Sequence, residues 1–376
     1  MAQVDTTLVA PTGQTLRVAS GGDFQAALGK AQPGDLIELQ AGAVYTGPFT
    51  LPAKVGSSWI TVESSAVVSL PPPGTRVTPA DSAFMPKLVA SLGSVIVTAP
   101  RAHGYRFIGI EIAPSSAVTD PPAGTLQRWV SHAWHWIANR ADGDGVFLNN
   151  LVLLGENDTS EATLPSHIIF DRCYLHGDPR FGALRGIAMN STYTAVIDSY
   201  LSDFKAQGQD SQAIASWNGS GPFLIQDDYL EAAGENVMFG GADPSIPGLV
   251  PSDIEILGND FSKPLAWQIG NSAYQGTPWS VKNLLELKNA RRVLIDGNVL
   301  EYNWAQSQDG YGVLFTVRNQ NGGAPWSDVE DVTFTDNVLR HSANGINLLG
   351  YDDDHPSQQT RRILIKNNLF NDIGYD

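Results

Sequence analysis

The segments IIFDRCYL, AVIDSYL, FLIQDDYL, IEILGNDF, VLIDGNVL, VTFTDNVL and ILIKNNLF are versions of one unit: an apolar strand, a polar pair, Asn or Asp, then an apolar step. Their last apolar positions are Leu175, Leu201, Leu230, Phe261, Leu300, Leu339 and Phe370, so the unit returns every 26 to 39 residues. Weaker copies, YRFIGIEI and VFLNNLVLL, precede them. A strand-turn-strand unit recurring at this interval cannot bury its apolar face alone and must stack on its neighbours, which is the sign of a solenoid. Asn259, Asn298, Asn337 and Asn368 hold one turn position, with Asp228 one coil earlier. Stacked amides bond one another and the backbone of a tight turn, so these residues read as structural. Leucine-rich repeats need another Leu spacing and propeller blades need Trp-Asp signatures, so the unit predicts an all-β parallel β-helix.

The rest of the sequence agrees with a single unit over 1–376, with a cap and first coil at 15–50 and regular coils from about 100 to 374. No linker interrupts it, and the 37 Gly and 23 Pro are scattered between short apolar runs, as turns between strands require. The net charge of −16 argues against a nucleic-acid partner, which would call for a basic excess. One cysteine, Cys173, excludes an internal disulfide and a multi-thiolate zinc site, leaving carboxylates or carbonyls as metal ligands. No segment is apolar enough for a membrane span. The opening MAQVDTTLVAPTGQTL lacks the basic and apolar parts of a signal peptide. A start at Met-Ala-Gln suits a chain whose leader has been removed, so a secreted or periplasmic location is expected.

The N-terminal stretch VASGGDFQAALGKAQPGDLIELQAGAVYTGPFTLP resembles the opening of pectate-lyase-like right-handed parallel β-helix proteins. The resemblance implies a short amphipathic helix over the first coil, and Phe24, Ala27 and Leu28 have helical spacing for it.

A strand also precedes each unit: RGIAMN, QAIASW, ENVMFG, NLLELK, LFTVR and NGINLL. With Ile187, Ile214, Val237, Leu285, Phe315 and Ile346 pointing inward, alternation gives two outward columns. The first is Ala188, Ala215, Met238, Glu286, Thr316 and Asn347; the second is Asn190, Trp217, Gly240, Lys288, Arg318 and Leu349. Lys288 and Arg318 would then be neighbours about 4.8 Å apart, a repulsion that asks for an anion. Glu286 supplies part of it. One reading is a surface ion-pair ladder without chemistry. The other is an anionic sugar, with Trp217 and Trp279 stacking on its rings and Asn190, Met238 and Asn347 lining its path.

In a uronate-containing polysaccharide, a base can remove the proton beside the carboxylate and expel the glycosidic oxygen, provided the carboxylate is neutralised. Lys288 as base and Arg318 as neutraliser form a coherent pair. The strand LLELKNARRVLIDGNVL and the segment GVLFTVRNQ are similar to the Lys and Arg strands of the β-helical chondroitinase B and alginate lyase family. That resemblance implies a Lys base, an Arg from a later coil and a calcium ion. The family's acidic calcium ligands precede the Lys by five and seven residues, where this chain has Asn283 and Val281. Glu235, Asn236 and Glu286 remain as a partial oxygen site.

Other readings compete. A glycoside hydrolase would use paired carboxylates, with Asp203, Asp210, Glu235 and Glu286 as candidates. Asp227 and Asp228 are set aside because Asp228 belongs to the Asn ladder. The turn LHGDPR places His176 and Arg180 where they could rim a cleft, and YDDDHPS offers Asp352, Asp353 and Asp354 to calcium or to solvent. His132 and His135 have helical metal spacing without a third ligand, among Trp129, Trp134 and Trp136. A non-catalytic glycan-binding β-helix fits the long inserts equally well.

Overall fold

The computed structural model describes residues 1–115 and 147–374. His132, His135, Trp129, Trp134 and Trp136 lie outside the described residues.

Among the described residues, each complete coil contributes one strand to each of three parallel sheets, of 11, 10 and 9 strands in the order the chain visits them. One coil shows the pattern: Ser166–Asp171 in the first sheet, Tyr174–His176 in the second and Arg185–Met189 in the third. The next coil repeats it one strand further along, with Ser166 beside Thr192, Tyr174 beside Tyr200 and Ile187 beside Ile214. This is a right-handed parallel β-helix. Its inward residues form one continuous core from Val18 to Leu339, including stacked Phe107 and Phe170.

The turn from the first to the second sheet shows why the unit carries Asn. The residue before the ladder position has positive φ in coil after coil: Asp198 54°, Asp227 53°, Gly258 63°, Gly297 68°, Asp336 54° and Asn367 56°. Gly, Asn and Asp reach that region at least cost. The ladder side chain then accepts the N–H of the coil before it. Ser199 N–H donates to Asp228 Oδ1 at 2.7 Å, and Asp228 N–H to Asn259 Oδ1, Asn259 N–H to Asn298 Oδ1 and Asn298 N–H to Asn337 Oδ1 at 2.9 Å each. Asp228 is fully buried in this series, and burial pushes its carboxyl well above the usual range.

The helix Phe24–Lys30 covers the first coil as expected, N-capped by Asp23 and burying Phe24, Ala27 and Leu28. Phe24 packs edge-on against Phe49 at 4.9 Å. Among the described residues no helix is long and apolar enough to cross a membrane.

Candidate active site on the third sheet

The outer face of the third sheet carries the first predicted column as far as Glu286: Ala188, Ala215, Met238 and Glu286 are successive partners. The next partner is Leu314, then Asn347, because Val313 rather than Phe315 lies beside Leu285. A slip of two residues keeps every side chain on its face, so alternation alone does not detect it. Leu287 therefore pairs with Phe315, where the predicted column needed Val317. Arg318 lies past the strand end, its N–H donating to Lys288 O at 2.9 Å. Its guanidinium binds Asp352 Oδ1 at 2.7 Å and also Asp353, with Asp354 at 3.8 Å. Burial acts the other way, but the N–H groups of Asp354 and Asn319 and the Arg318 guanidinium hold the Asp352 carboxyl below its usual range. The acidic loop thus already has its cation, and Arg318 already has its anions.

Several other expected site residues are placed elsewhere. Asn190 is fully buried, its Oδ1 accepting from the N–H groups of Trp217 at 3.0 Å and Asn218 at 2.9 Å. It opens a second series of turn amides, in which Asn218 accepts from Ile246, Asn289 from Asp328 and Asn319 from Ala324. Each of these Asn residues sits at the exit of a third-sheet strand, in MN, WN, KN or RN, a recurrence visible in the sequence. Trp279 is buried with Trp267, Val281 and Trp304, and Lys205 Nζ lies 5.3 Å from the ring centres of both Trp279 and Trp267. Its ring is spent on packing and a cation rather than on a sugar. His176 belongs to the second sheet, 2.9 Å from Glu111 Oε1 and stacked on Tyr174. Arg180 lies in the connection that follows, its guanidinium over Phe181. Asn236 turns into the interior, donating to Leu230 O at 2.7 Å and Ser262 O at 2.9 Å, so it is not part of an outer oxygen site.

A polar chain runs across successive coils on the outer face. Arg185, Gln212, Glu235 and Asn283 are register partners. Arg185 donates to Asn150 Oδ1 and Gln212 Oε1, both at 2.8 Å, with its guanidinium 5.1 Å from the Trp217 ring centre. Gln212 Nε2 donates to Glu235 Oε2 at 2.8 Å. Lys282 Nζ lies 2.5 Å from Asp210 Oδ2 and 3.8 Å from Glu235 Oε1, and Lys288 Nζ lies 3.6 Å from Glu286 Oε1. Sequence reasoning missed Arg185, Gln212 and Lys282; Arg185 and Gln212 open third-sheet strands, as Glu235 and Asn283 do, and that polar position was their signal, while Lys282 directly precedes its strand.

Burial, then the neighbouring Glu286 and Asp210 carboxyls, push Glu235 up to about 7 against the pull of Lys282 and Gln212. Burial opposes the charge on Lys282, but Glu235, Asp210 and Glu286 raise its pKa above the usual value. Glu235 Oε1 and Glu286 Oε2 have no hydrogen-bond partner among the described residues. The side chains of Glu235 and Glu286 are 0% and 3% exposed, whereas those of Lys282 and Lys288 are each 15% exposed. The cluster presents ammonium groups in front of carboxyls.

Those ammonium groups also bear on calcium. A calcium ion takes six to eight oxygen ligands. With Asn236 turned inward, Lys282 Nζ 3.8 Å from Glu235 Oε1 and Lys288 Nζ 3.6 Å from Glu286 Oε1, the donor set does not fit one.

Comparison with known proteins agrees with the architecture. An alginate lyase from Paenibacillus sp. superposes over 95% of this chain and 98% of its own, at 12% identity and a TM-score of 0.51. A pectate lyase covers 95% of this chain and 80% of its own, at 13% identity and TM-score 0.46. A lacto-N-biosidase from Eubacterium ramulus covers 96% and 68%, at 12% identity and TM-score 0.47. At such identity the likeness to the alginate lyase shows the fold alone, a parallel β-helix. No family model matches the chain. No curated protein matches it.

Proposed function

We propose that the chain cleaves an acidic, uronate-containing polysaccharide along the outer face of the third sheet, by β-elimination. The observation that carries this reading is the order of groups at the cluster: a ligand approaching the face meets Lys282 and Lys288 before the buried carboxyls. Lys282 and the proton-holding Glu235 are suited to neutralise a uronate carboxylate, the first requirement of elimination. Lys288 is the base that takes the proton from the carbon beside that carboxylate. The bond to the leaving sugar oxygen then breaks, a carbon–carbon double bond forms, and the oxygen takes the proton back from Lys288. Glu286 orients Lys288. Arg318, occupied by the acidic loop, has no part in this scheme, and neither does calcium. Polymers of this kind lie outside the cytoplasm, so the proposal includes secretion.

Hydrolysis is the second reading, favoured by one observation: the Glu235 carboxyl is poised near neutrality beside Glu286, as a proton donor would be. Incubation with alginate, pectate, hyaluronan and chondroitin separates the two. Elimination gives the ultraviolet absorbance of an unsaturated sugar, undiminished by a chelator; hydrolysis gives reducing ends without it. Bound glycan with neither product would leave a binding module.

A further inference from the structure

We propose that Lys263, inside the β-helix, is the positioning residue for Glu235: its ammonium group is an internal cation that clamps the corner from which Glu235 reaches the outer face. The inference rests on the reading above only in treating Glu235 as a site residue.

Lys263 follows the second-sheet strand Asp260–Ser262 and is completely buried. Its Nζ lies 2.7 Å from Ala232 O, 3.0 Å from Ala233 O, 2.8 Å from Gly234 O and 3.0 Å from Asn236 Oδ1. These oxygens belong to four of the five residues 232–236; the fifth is Glu235 itself. The carbonyls converge because the chain passes from the strand Tyr229–Ala232 to the strand Glu235–Phe239 through two residues, Ala233 and Gly234. The corner is tight: a Cβ on Gly234 would stand 2.5 Å from Ser211 O. Asn236 is held by Leu230 O and Ser262 O through its amide nitrogen, which leaves its oxygen facing the ammonium.

The clamp reaches the next coil as well. Ala233 O and Gly234 O also accept from the N–H groups of Lys282 at 3.0 Å and Asn283 at 3.1 Å. One ammonium therefore fixes the backbone on both sides of the cluster. Burying an ammonium costs several kcal/mol, so packing alone gives no reason for a lysine where a methionine would fill the same volume. Convergent oxygens and a nearby carboxylate give one.

The electrostatics complete the argument. Lys263 faces Glu235 and Glu231. Glu235 faces Glu286, Asp210 and Lys282 from adjoining segments, and its charge is felt by Arg185. Burial pulls Lys263 below its usual range, while the Glu235 and Glu231 carboxylates hold it up. A charged Lys263 loosens the proton on Glu235, and its removal must tighten it.

The test is a carbon-detected titration of the glutamate carboxyls, with Glu235→Gln assigning the Glu235 resonance. In Lys263→Met, folded by circular dichroism, the Glu235 midpoint should rise by about one pH unit or more, while Lys263→Arg should stay closer to the wild type. By reciprocity, Glu235→Gln, which leaves the clamp intact, should lower the midpoint of the Lys263 Nζ by a similar amount. This second measurement decides the matter if Lys263→Met does not fold. Unchanged midpoints would overturn the proposal. Both titrations are independent of glycan cleavage, so a wild-type protein without activity would count against the proposed function and not against Lys263.

Discussion

Glu231, on the outer face of the second sheet, joins residue chemistry to stability. Burial, then the charge of Asp203, push its carboxyl up to about 7, although the Asp203 N–H, the Tyr229 hydroxyl and Lys205 pull the other way. A folded-state value above the unfolded 4.5 means that the folded chain binds the proton more tightly. Its contribution is complete below about 4.5 and is lost as pH rises through about 7, up to about 3 kcal/mol. Glu235 acts in the same direction over the same window. Glu231→Gln should therefore resist denaturant better than wild type at pH 8 and no better at pH 4; an equal difference at both would contradict this assignment. At this scale, the sequence marked Lys288 and Glu286 because they share an outer face. It did not mark Lys263, since a lysine inside a solenoid has no periodic signature and becomes intelligible only when the carbonyls of Ala232, Ala233 and Gly234 are seen to converge.

Strands and turns were legible to different degrees. The ladder could be read because Asn recurs at one turn position, and its energetic role can be measured at its centre. Asn298 donates to Asn337 Oδ1 and Ile256 O and accepts from both nitrogens of Asn259. Asn298→Ala would leave buried groups on two coils without partners, and should cost about 2–4 kcal/mol in a denaturant titration. A cost below 0.5 kcal/mol, roughly that of an ordinary surface change, would contradict a cooperative ladder. The third-sheet strands were harder to read for two physical reasons. Period-two alternation does not count register, which put Arg318 level with Lys288. The corner entering each strand also sends two consecutive residues inward, as Ala213 with Ile214 and Leu284 with Leu285 show. Alternation carried back through that corner therefore gives no guide to Glu235, which faces out, or to Asn236, which faces in.

Over the whole molecule, each coil is stabilised only by the coils beside it, so the first coil depends on its helix. Phe24 is 1% exposed, and its ring meets those of Tyr45 and Phe49. Phe24→Ala should cost about 3–5 kcal/mol at that end and expose it first to limited proteolysis. Initial cleavage near the middle of the chain would show that the coils do not open from the cap. The same architecture places successive strands side by side on the third sheet, so Arg185, Glu235, Lys282, Glu286 and Lys288, scattered over roughly a hundred residues, become one surface. The most direct measurement on that surface is the rate of unsaturated-product absorbance for wild type and Lys288→Ala on the uronate polymers. Elimination predicts absorbance from the wild type and a loss of about 100-fold to 10,000-fold in the variant. Reducing ends without absorbance, or an unchanged rate in Lys288→Ala, would contradict it.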